Sequence, residues 1–228
     1  MKEIIARAGK ENRSILTEIE AKQIFTAAGI KCTDTRLART KDEAVSISND
    51  IGYPVVLKIS AVEVTHKSDA GGVKVNLADE ADVKEAFDDI IMSVKKAYPD
   101  TELEGVSVQA MAKPGTEIII GMTKDPQFGP VIMFGLGGVM VEMLKDVTFR
   151  TIPLKKDDAV SMIKGIKGYK LLQGYRGQEP ADIDSLSDMI VSISDFIDKT
   201  PEIKEADMNP VFVYKDGAVV ADARIVLE

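Results

Sequence analysis

Apolar residues recur along this chain with two periods, and their arrangement changes character past the middle. Ala21, Ile24, Phe25 and Ala28 fall on one helical face. Thr17-Glu18-Ile19-Glu20 opens that run as a capping box, with Thr17 capping and Glu20 reaching back, and Gly29 closes it. A short strand is predicted at Thr35–Ala38, and Thr40-Lys41-Asp42-Glu43 opens a second helix that ends at Gly52. In Tyr53-Pro54-Val55-Val56-Leu57-Lys58-Ile59 the period becomes two, so Val55, Leu57 and Ile59 share one face and Val56 and Lys58 the other. Val73, Val75 and Leu77 mark a further strand. Val83, Ala86, Phe87, Ile90, Ile91 and Val94 form the apolar stripe of a helix over 80–97, and 106–111 reads as a strand.

From Glu117 onward strand-like runs follow in quick succession: EIIIGMT, PVIMFG, GVMVEML and VTFRTI, separated by Gly and Pro. That spacing predicts antiparallel strands with short turns. Helices are predicted over 156–166 and 184–197, then strands near 203–208, 211–214 and 218–226, the last two forming a hairpin around Lys215-Asp216-Gly217. The whole reads as an α+β protein of two lobes joined near 111–115, with no internal repeat and no low-complexity tract.

Composition narrows the function. At 228 residues and a net charge of −8, with basic residues scattered and few aromatics, the chain lacks the clustered cations that nucleic acid requires. No apolar run is long enough to span a bilayer. The first residues, MKEIIARAGKENRS, lack the apolar core and cleavage pattern of a signal peptide, so the expectation is a cytoplasmic protein. The single cysteine, Cys32, rules out an internal disulfide and a thiolate zinc cage, and suits buried filler better than a nucleophile. One histidine and one cysteine also cannot build the usual serine-protease or zinc-hydrolase sites.

Three places could carry chemistry. Asn209 and Asp222 lie on the two arms of the last hairpin. A two-residue turn at Asp216-Gly217 makes them diagonal neighbours on one face; a turn one residue earlier sets them directly opposite, and in both cases Asp207 is close by. A carboxylate with an amide oxygen suits Mg²⁺, which takes the rest of its shell from water and phosphates. The competing reading is an Asn that makes a turn before Pro210 and an Asp paired with Arg224. Lys58 is a cation in an apolar strand, suited to a phosphate, or alternatively an edge lysine facing water. The loop Thr65-His66-Lys67-Ser68-Asp69-Ala70-Gly71-Gly72 holds the only histidine and a glycine pair whose backbone could approach phosphate, without the P-loop pattern. His66 could accept a phosphoryl group, act as a base, or be an ordinary loop side chain. A second cluster, Phe134-Gly135-Leu136-Gly137-Gly138, is not a dinucleotide fingerprint, because no helix starts there.

Taken together, GYPVVLKIS…THKSDAGGVKVNL, VSVQAMAKPGTEIIIG, FGLGGVMVEMLKDVTFR and ADMNPVFVYKDGAVVADARI resemble the β subunits of the ADP-forming acetyl-CoA synthetases, in the family's order and over nearly the whole chain. The resemblance implies an ATP-grasp fold of two α+β lobes, 1–112 and 113–228, with the nucleotide between them. It implies that Lys58 contacts ATP phosphates, that Gln109, Ala110, Met111 and Ala112 form the hinge that meets adenine, and that Glu117 contacts the nucleotide. Asn209 and Asp222 correspond to the two magnesium ligands, and His66 to a histidine that can carry the phosphoryl group, as a relay or as a docking contact for the phosphohistidine segment of an α subunit. The more distant succinyl-CoA synthetase β chains have a Gly-Arg-Gly in the His66 loop and a glutamate at the place of Gln109. Glu142, Arg150 and the 135–138 loop also fit the family pattern.

The implied reaction is acyl-CoA + ADP + phosphate ⇌ carboxylate + CoA + ATP, with Mg²⁺ and ATP/ADP as cofactors. An α subunit would bind CoA and bear its own phosphohistidine, in an expected α₂β₂ assembly. Two rivals are a stand-alone ATP-grasp carboxylate ligase and a non-catalytic nucleotide-sensing module. Neither nucleic acid nor membrane is an expected partner.

Overall fold

The computed structural model describes residues 1–61, 64, 67–138, 146–175 and 179–228. In chain order its elements are α1 (Lys2–Lys10), α2 (Glu18–Ala27), β1 (Thr35–Ala38), α3 (Lys41–Ile51), β2 (Val55–Ser60), β3 (Val73–Leu77), α4 (Glu80–Ala97), β4 (Gly105–Ala110), β5 (Thr116–Asp125), β6 (Gly129–Leu136), β7 (Val147–Thr151), α5 (Lys156–Lys164), α6 (Tyr169–Leu172), α7 (Ile183–Asp198), β8 (Ile203–Tyr214), β9 (Gly217–Val220) and β10 (Ala223–Leu227). The predicted run GVMVEML falls on residues of which all but Gly138 lie outside the described ones. No helix among the described residues is long and apolar enough to cross a membrane.

The chain divides into two compact units, one of residues 17–19 and 33–112 and one of residues 1–16, 20–32 and 113–228. The first is built on a sheet ordered β1-β4-β2-β3, with antiparallel neighbours throughout. Val83, Ala86, Phe87, Ile90 and Val94 of α4 share one core with Ala44 and Val45 of α3 and Val55, Leu57 and Ile59 of β2. Both helices start where a side chain replaces a missing backbone acceptor. Asp79 accepts from the Ala81 and Asp82 amides at 2.8 and 3.0 Å. Thr40 accepts from the Glu43 amide at 3.2 Å, while the Glu43 carboxylate takes the Arg39 amide, one residue before the cap.

The second unit is built on six strands. Five run β10-β8-β5-β6-β7, and β9 continues along the β8 edge that β10 occupies. Two strands were expected at 203–208 and 211–214; the structure has one strand of 12 residues. Ala206 and Met208 are buried, then Val211 and Val213, so the alternation slips by one at Asn209-Pro210. The pairing with β5 shifts register at the same level, between Ile118 and Ile120. A slip of one turns side chains to the other face, which is why the sequence read as two strands.

The N-terminal residues belong with this second unit, apart from 17–19, whereas the sequence placed all of 1–112 in one lobe. Their apolar stripe explains the difference. Ala8 of α1 and Ala21, Ile24 and Phe25 of α2 are buried in the same core as α7 and the six-stranded sheet. Phe25 meets Phe196 edge to face, with ring centroids 6.0 Å apart. Buried Glu20 receives Arg7 at 2.8 Å and both terminal nitrogens of Arg13 at 3.0 Å, which holds the Arg13 guanidinium more firmly protonated than usual.

Candidate functional site

In the four-stranded unit the site grows from one lysine in the wrong company. All six residues of β2 are buried, since β4 and β3 flank the strand on both sides. Lys58 is therefore an interior cation and not an edge lysine, with 5 % of its surface exposed. A buried ammonium needs a counter-charge, and Glu18, the first residue of α2, supplies it at 2.8 Å through Oε1. The other oxygen, Oε2, receives Lys67 at 2.8 Å. One carboxylate thus bridges two cations. Neither Glu18 nor Lys67 was singled out from the sequence: Glu18 looked like part of a cap, and its partners lie 40 and 49 residues along the chain.

Lys67 is held by its own loop. The Gly72 amide donates to the Lys67 carbonyl at 2.7 Å, the Gly71 amide to the Ser68 carbonyl at 3.0 Å, and the Gly72 carbonyl accepts from Ile59 at 2.8 Å. A Cβ on Gly72 would stand 2.7 Å from Ile59 Cγ2 and 2.9 Å from the Lys67 carbonyl. Gly72 therefore serves close packing of the loop onto β2. His66, the next residue back, lies outside the described residues, as does Glu142.

Gln109 sits in β4 opposite Thr35 on one side and Val56 on the other, 3 % exposed, and its Oε1 accepts from Thr35 Oγ1 at 3.4 Å. Its carboxamide is thus engaged inside the sheet. Ala110 ends β4, the Met111 amide donates to the Pro54 carbonyl at 3.1 Å, and Ala112 closes the unit.

In the six-stranded unit, the face of β5 opposite the core carries Glu117, Ile119, Gly121 and Thr123, since Ile118, Ile120 and Met122 are in the core. Exposed Glu117 accepts the Gly137 amide at 2.8 Å through its carbonyl. Its Oε2 lies 3.2 Å from where a Gly138 Cβ would be, and Gly138 has φ +62°, so the glycine pair lets the turn rest on this side chain. Gly121 pairs with Asp207 of β8.

The hairpin turn is Lys215-Asp216, because Tyr214 pairs with Gly217. This is the earlier of the two turns that the sequence allowed. Val211 pairs with Val220 and Met208 with Ala223, and that common register sets Asn209 opposite Asp222. The Asn209 amide donates to the Asp222 carbonyl at 3.2 Å, and Ala221 to the Pro210 carbonyl at 3.0 Å. Buried Lys22 of α2 donates to the Ala221 carbonyl at 2.8 Å and steadies the turn into Asp222. One step further along, Asp207 pairs with Arg224. The Asp207 carboxyl is pushed up, first because neighbouring atoms partly desolvate it although the residue is exposed, and then because Asp222 repels it, with Arg224 acting in the opposite sense.

These residues fit Mg²⁺. An amide and a carboxylate at directly paired positions offer hard oxygen donors, with a second carboxylate, Asp207, near enough for Asp222 to repel it. Among the described residues no three His, Cys, Asp or Glu side chains form a metal cage. Most of an octahedral shell would fall to water and phosphate oxygens, as magnesium prefers.

Arg150, on β7, donates to the Phe149 carbonyl at 2.8 Å. Asp146, buried just after residues 139–145, accepts the Lys167 and Gly168 amides at 2.7 and 2.6 Å at the start of α6. Asp146→Ala strands both donors and is expected to lower unfolding stability by about 2–3 kcal/mol, read by urea titration.

The family model of the ATP-grasp domain matches residues 7–227. The β subunit of acetate–CoA ligase (ADP-forming) I from Pyrococcus furiosus is 48 % identical over 226 residues, 99 % of this chain and 97 % of that one. A solved dinucleotide-forming acetyl-coenzyme A synthetase 1 from Ca. Korarchaeum cryptofilum, in complex with coenzyme A, Ca-AMPCP and HgCl⁺, aligns with a TM-score of 0.98 at 49 % identity, over 100 % of this chain and 99 % of that one. A second structure of that enzyme holds coenzyme A and Mg-AMPPCP, with a phosphohistidine segment pointing towards the nucleotide binding site. It aligns at 0.88 and 46 % identity, over 100 % and 99 % of the two chains.

Proposed function

This chain belongs to the ATP-grasp domain family, as the nucleotide-binding β subunit of an ADP-forming acetate–CoA ligase, and from that premise we propose how its residues divide the work. The reaction is acyl-CoA + ADP + phosphate ⇌ carboxylate + CoA + ATP. The step on this chain moves a phosphoryl group from phosphohistidine to Mg-ADP: the N–P bond breaks and a bond forms from a β-phosphate oxygen to phosphorus.

Asn209 and Asp222 hold the metal, and the register that sets them opposite one another is the observation that carries the assignment. A bound Mg²⁺ shields phosphate charge and so lets two anions approach. Lys58 neutralises phosphate oxygens from the four-stranded unit. The peptide groups of Ala110, Met111 and Ala112 meet the adenine, while Gln109 acts from within the sheet by holding β4 to β1. Glu117 contacts the nucleotide from β5. His66, next to Lys67, carries the phosphoryl group between the α-subunit histidine and ADP. Phosphoryl transfer demands positioning and charge neutralisation above all, and these residues supply both.

The α subunit brings the CoA site and its own phosphohistidine, in an α₂β₂ assembly working in the cytoplasm. The test is incubation with γ-labelled Mg-ATP, with His66→Ala in parallel, alone and with the α subunit. Acid-labile label on this chain that vanishes in His66→Ala supports the carrier role. A chain that binds nucleotide but takes up no label even with the α subunit present overturns it.

A further inference from the structure

The metal pair stands at a break in the ladder that holds it. β9 ends at Val220 and β10 begins at Ala223, so Ala221 and Asp222 form a short link between the two strands. Across from the link, on β8, lie Pro210 and Asn209. The Ala221 amide donates to the Pro210 carbonyl at 3.0 Å. A regular antiparallel pair returns such a bond from the opposite amide. Proline has no N–H and cannot return it. Lys22 of α2 takes that part: its ammonium donates to the Ala221 carbonyl at 2.8 Å.

The place of that contact matters. The Ala221 carbonyl belongs to the peptide group that leads into Asp222. A peptide group is planar, so holding its oxygen holds the whole plane. The plane that follows Asp222 is held as well, because the Asn209 amide donates to the Asp222 carbonyl at 3.2 Å. Both peptide planes that flank the Asp222 Cα are therefore gripped, one by Lys22 and the other by the second residue assigned to the metal.

The grip from α2 is firm. Lys22 is 3 % exposed, and Ala21, Ile24 and Phe25 lie in one core with Val211, Val220 and Ala223. The chain that leaves α2 returns to the same link: the Val220 amide donates to the Lys31 carbonyl at 2.9 Å, and Cys32 forms a parallel bridge with Val220. Residues 220–222 are thus tied to Asn209 and Pro210 of β8, and also to Lys22 and Lys31.

We propose that Lys22 is a positioning residue of the magnesium site, which fixes the peptide plane before Asp222, holds that carboxylate in place opposite Asn209 and so sets the affinity for the metal. This rests on the assignment of Asp222 to magnesium made above.

Charge and geometry act in opposite directions here, so the sign of the effect is informative. An ammonium near the site repels a divalent cation, and deleting its charge alone would strengthen magnesium binding. Losing a contact that orients a ligand weakens it. A lysine that only held the fold would lower Tm and leave the magnesium dependence where it was.

The experiment is calorimetric titration of the full-length chain with ADP at a series of Mg²⁺ concentrations, which gives the magnesium midpoint of nucleotide binding, with adenosine titrations and thermal melts beside it. Lys22→Met keeps the length of the side chain and removes the donor. It is expected to raise the magnesium midpoint about tenfold and to leave adenosine binding unchanged. Lys22→Gln keeps an N–H donor without the charge, and its midpoint should fall between those of Lys22→Met and wild type. Glu20→Gln, which unsettles a buried carboxylate on the same helix, should lower Tm and leave the midpoint unmoved. A midpoint that stays level or falls in Lys22→Met, or in Lys22→Gln where the methionine variant does not fold, while Asp222→Ala raises it, overturns this inference and leaves Asp222 a ligand. A midpoint that Asp222→Ala does not move overturns both.

Discussion

Asp222→Ala is expected to reduce Mg-dependent nucleotide binding by at least about 100-fold, with a matching loss of phosphoryl transfer. The hairpin should survive the change, because the hydrogen bond that closes it there runs from the Asn209 amide to the Asp222 carbonyl at 3.2 Å and involves no side chain. The side chain is half-buried at the sheet surface, so no cavity opens in the core. Removing it also relieves the repulsion felt by Asp207. The decisive result is therefore a split: stability kept, magnesium dependence lost. Nucleotide affinity that persists in Asp222→Ala with its magnesium dependence intact would refute the ligand assignment. Asn209→Ala should show the same split more weakly, since an amide oxygen carries less charge than a carboxylate.

Lys58→Met is expected to do the opposite, costing stability and activity together. It leaves Glu18 buried with one fewer cation, and breaking a buried pair from one side costs roughly 3–5 kcal/mol. Phosphoryl transfer should fall about 100-fold through loss of a phosphate contact. The double variant Lys58→Met with Glu18→Gln separates the two effects. Removing both charges should restore part of the stability, because Lys67, whose side chain is 21 % exposed, is the cation left without Glu18 and can turn to water, while transfer stays low. Urea unfolding read beside single-turnover transfer makes the comparison. If the double variant recovers transfer as well, Lys58 acts only as the partner of Glu18 and touches no phosphate.

Much of this was legible in the sequence wherever the information is local. The stripe Val83, Ala86, Phe87, Ile90 and Val94 and the shared face of Val55, Leu57 and Ile59 in β2 come from neighbours a few residues apart, and both are in the structure. The hairpin pair was legible up to a choice between two turns. That choice depends on which residues the chain allots to the turn, and here Tyr214 pairing with Gly217 decides it. The bridge from Glu18 to Lys58 and Lys67 was not legible. A helix-start glutamate reads as a cap by local rules, and only the packing of α2 brings it to two lysines far along the chain. The placement of residues 1–16 and 20–32 was missed for a related reason: an apolar helical stripe says that a face is buried and is silent about which sheet covers it.

Strand β8 lies between β5 on one side and β9 with β10 on the other, so its backbone is anchored on both sides along most of its 12 residues. Backbone of that kind opens only when the whole unit opens. Asn209 lies in that strand at the level where its register with β5 shifts, and Asp222 lies on the paired arm between β9 and β10, tied to it by the hydrogen bond from the Asn209 amide. An arriving ion meets donors already tied to the sheet, and has less conformational entropy to remove than in a free loop. Adjustment to nucleotide must then come from other segments, and the metal pair serves as the fixed origin from which their positions are measured.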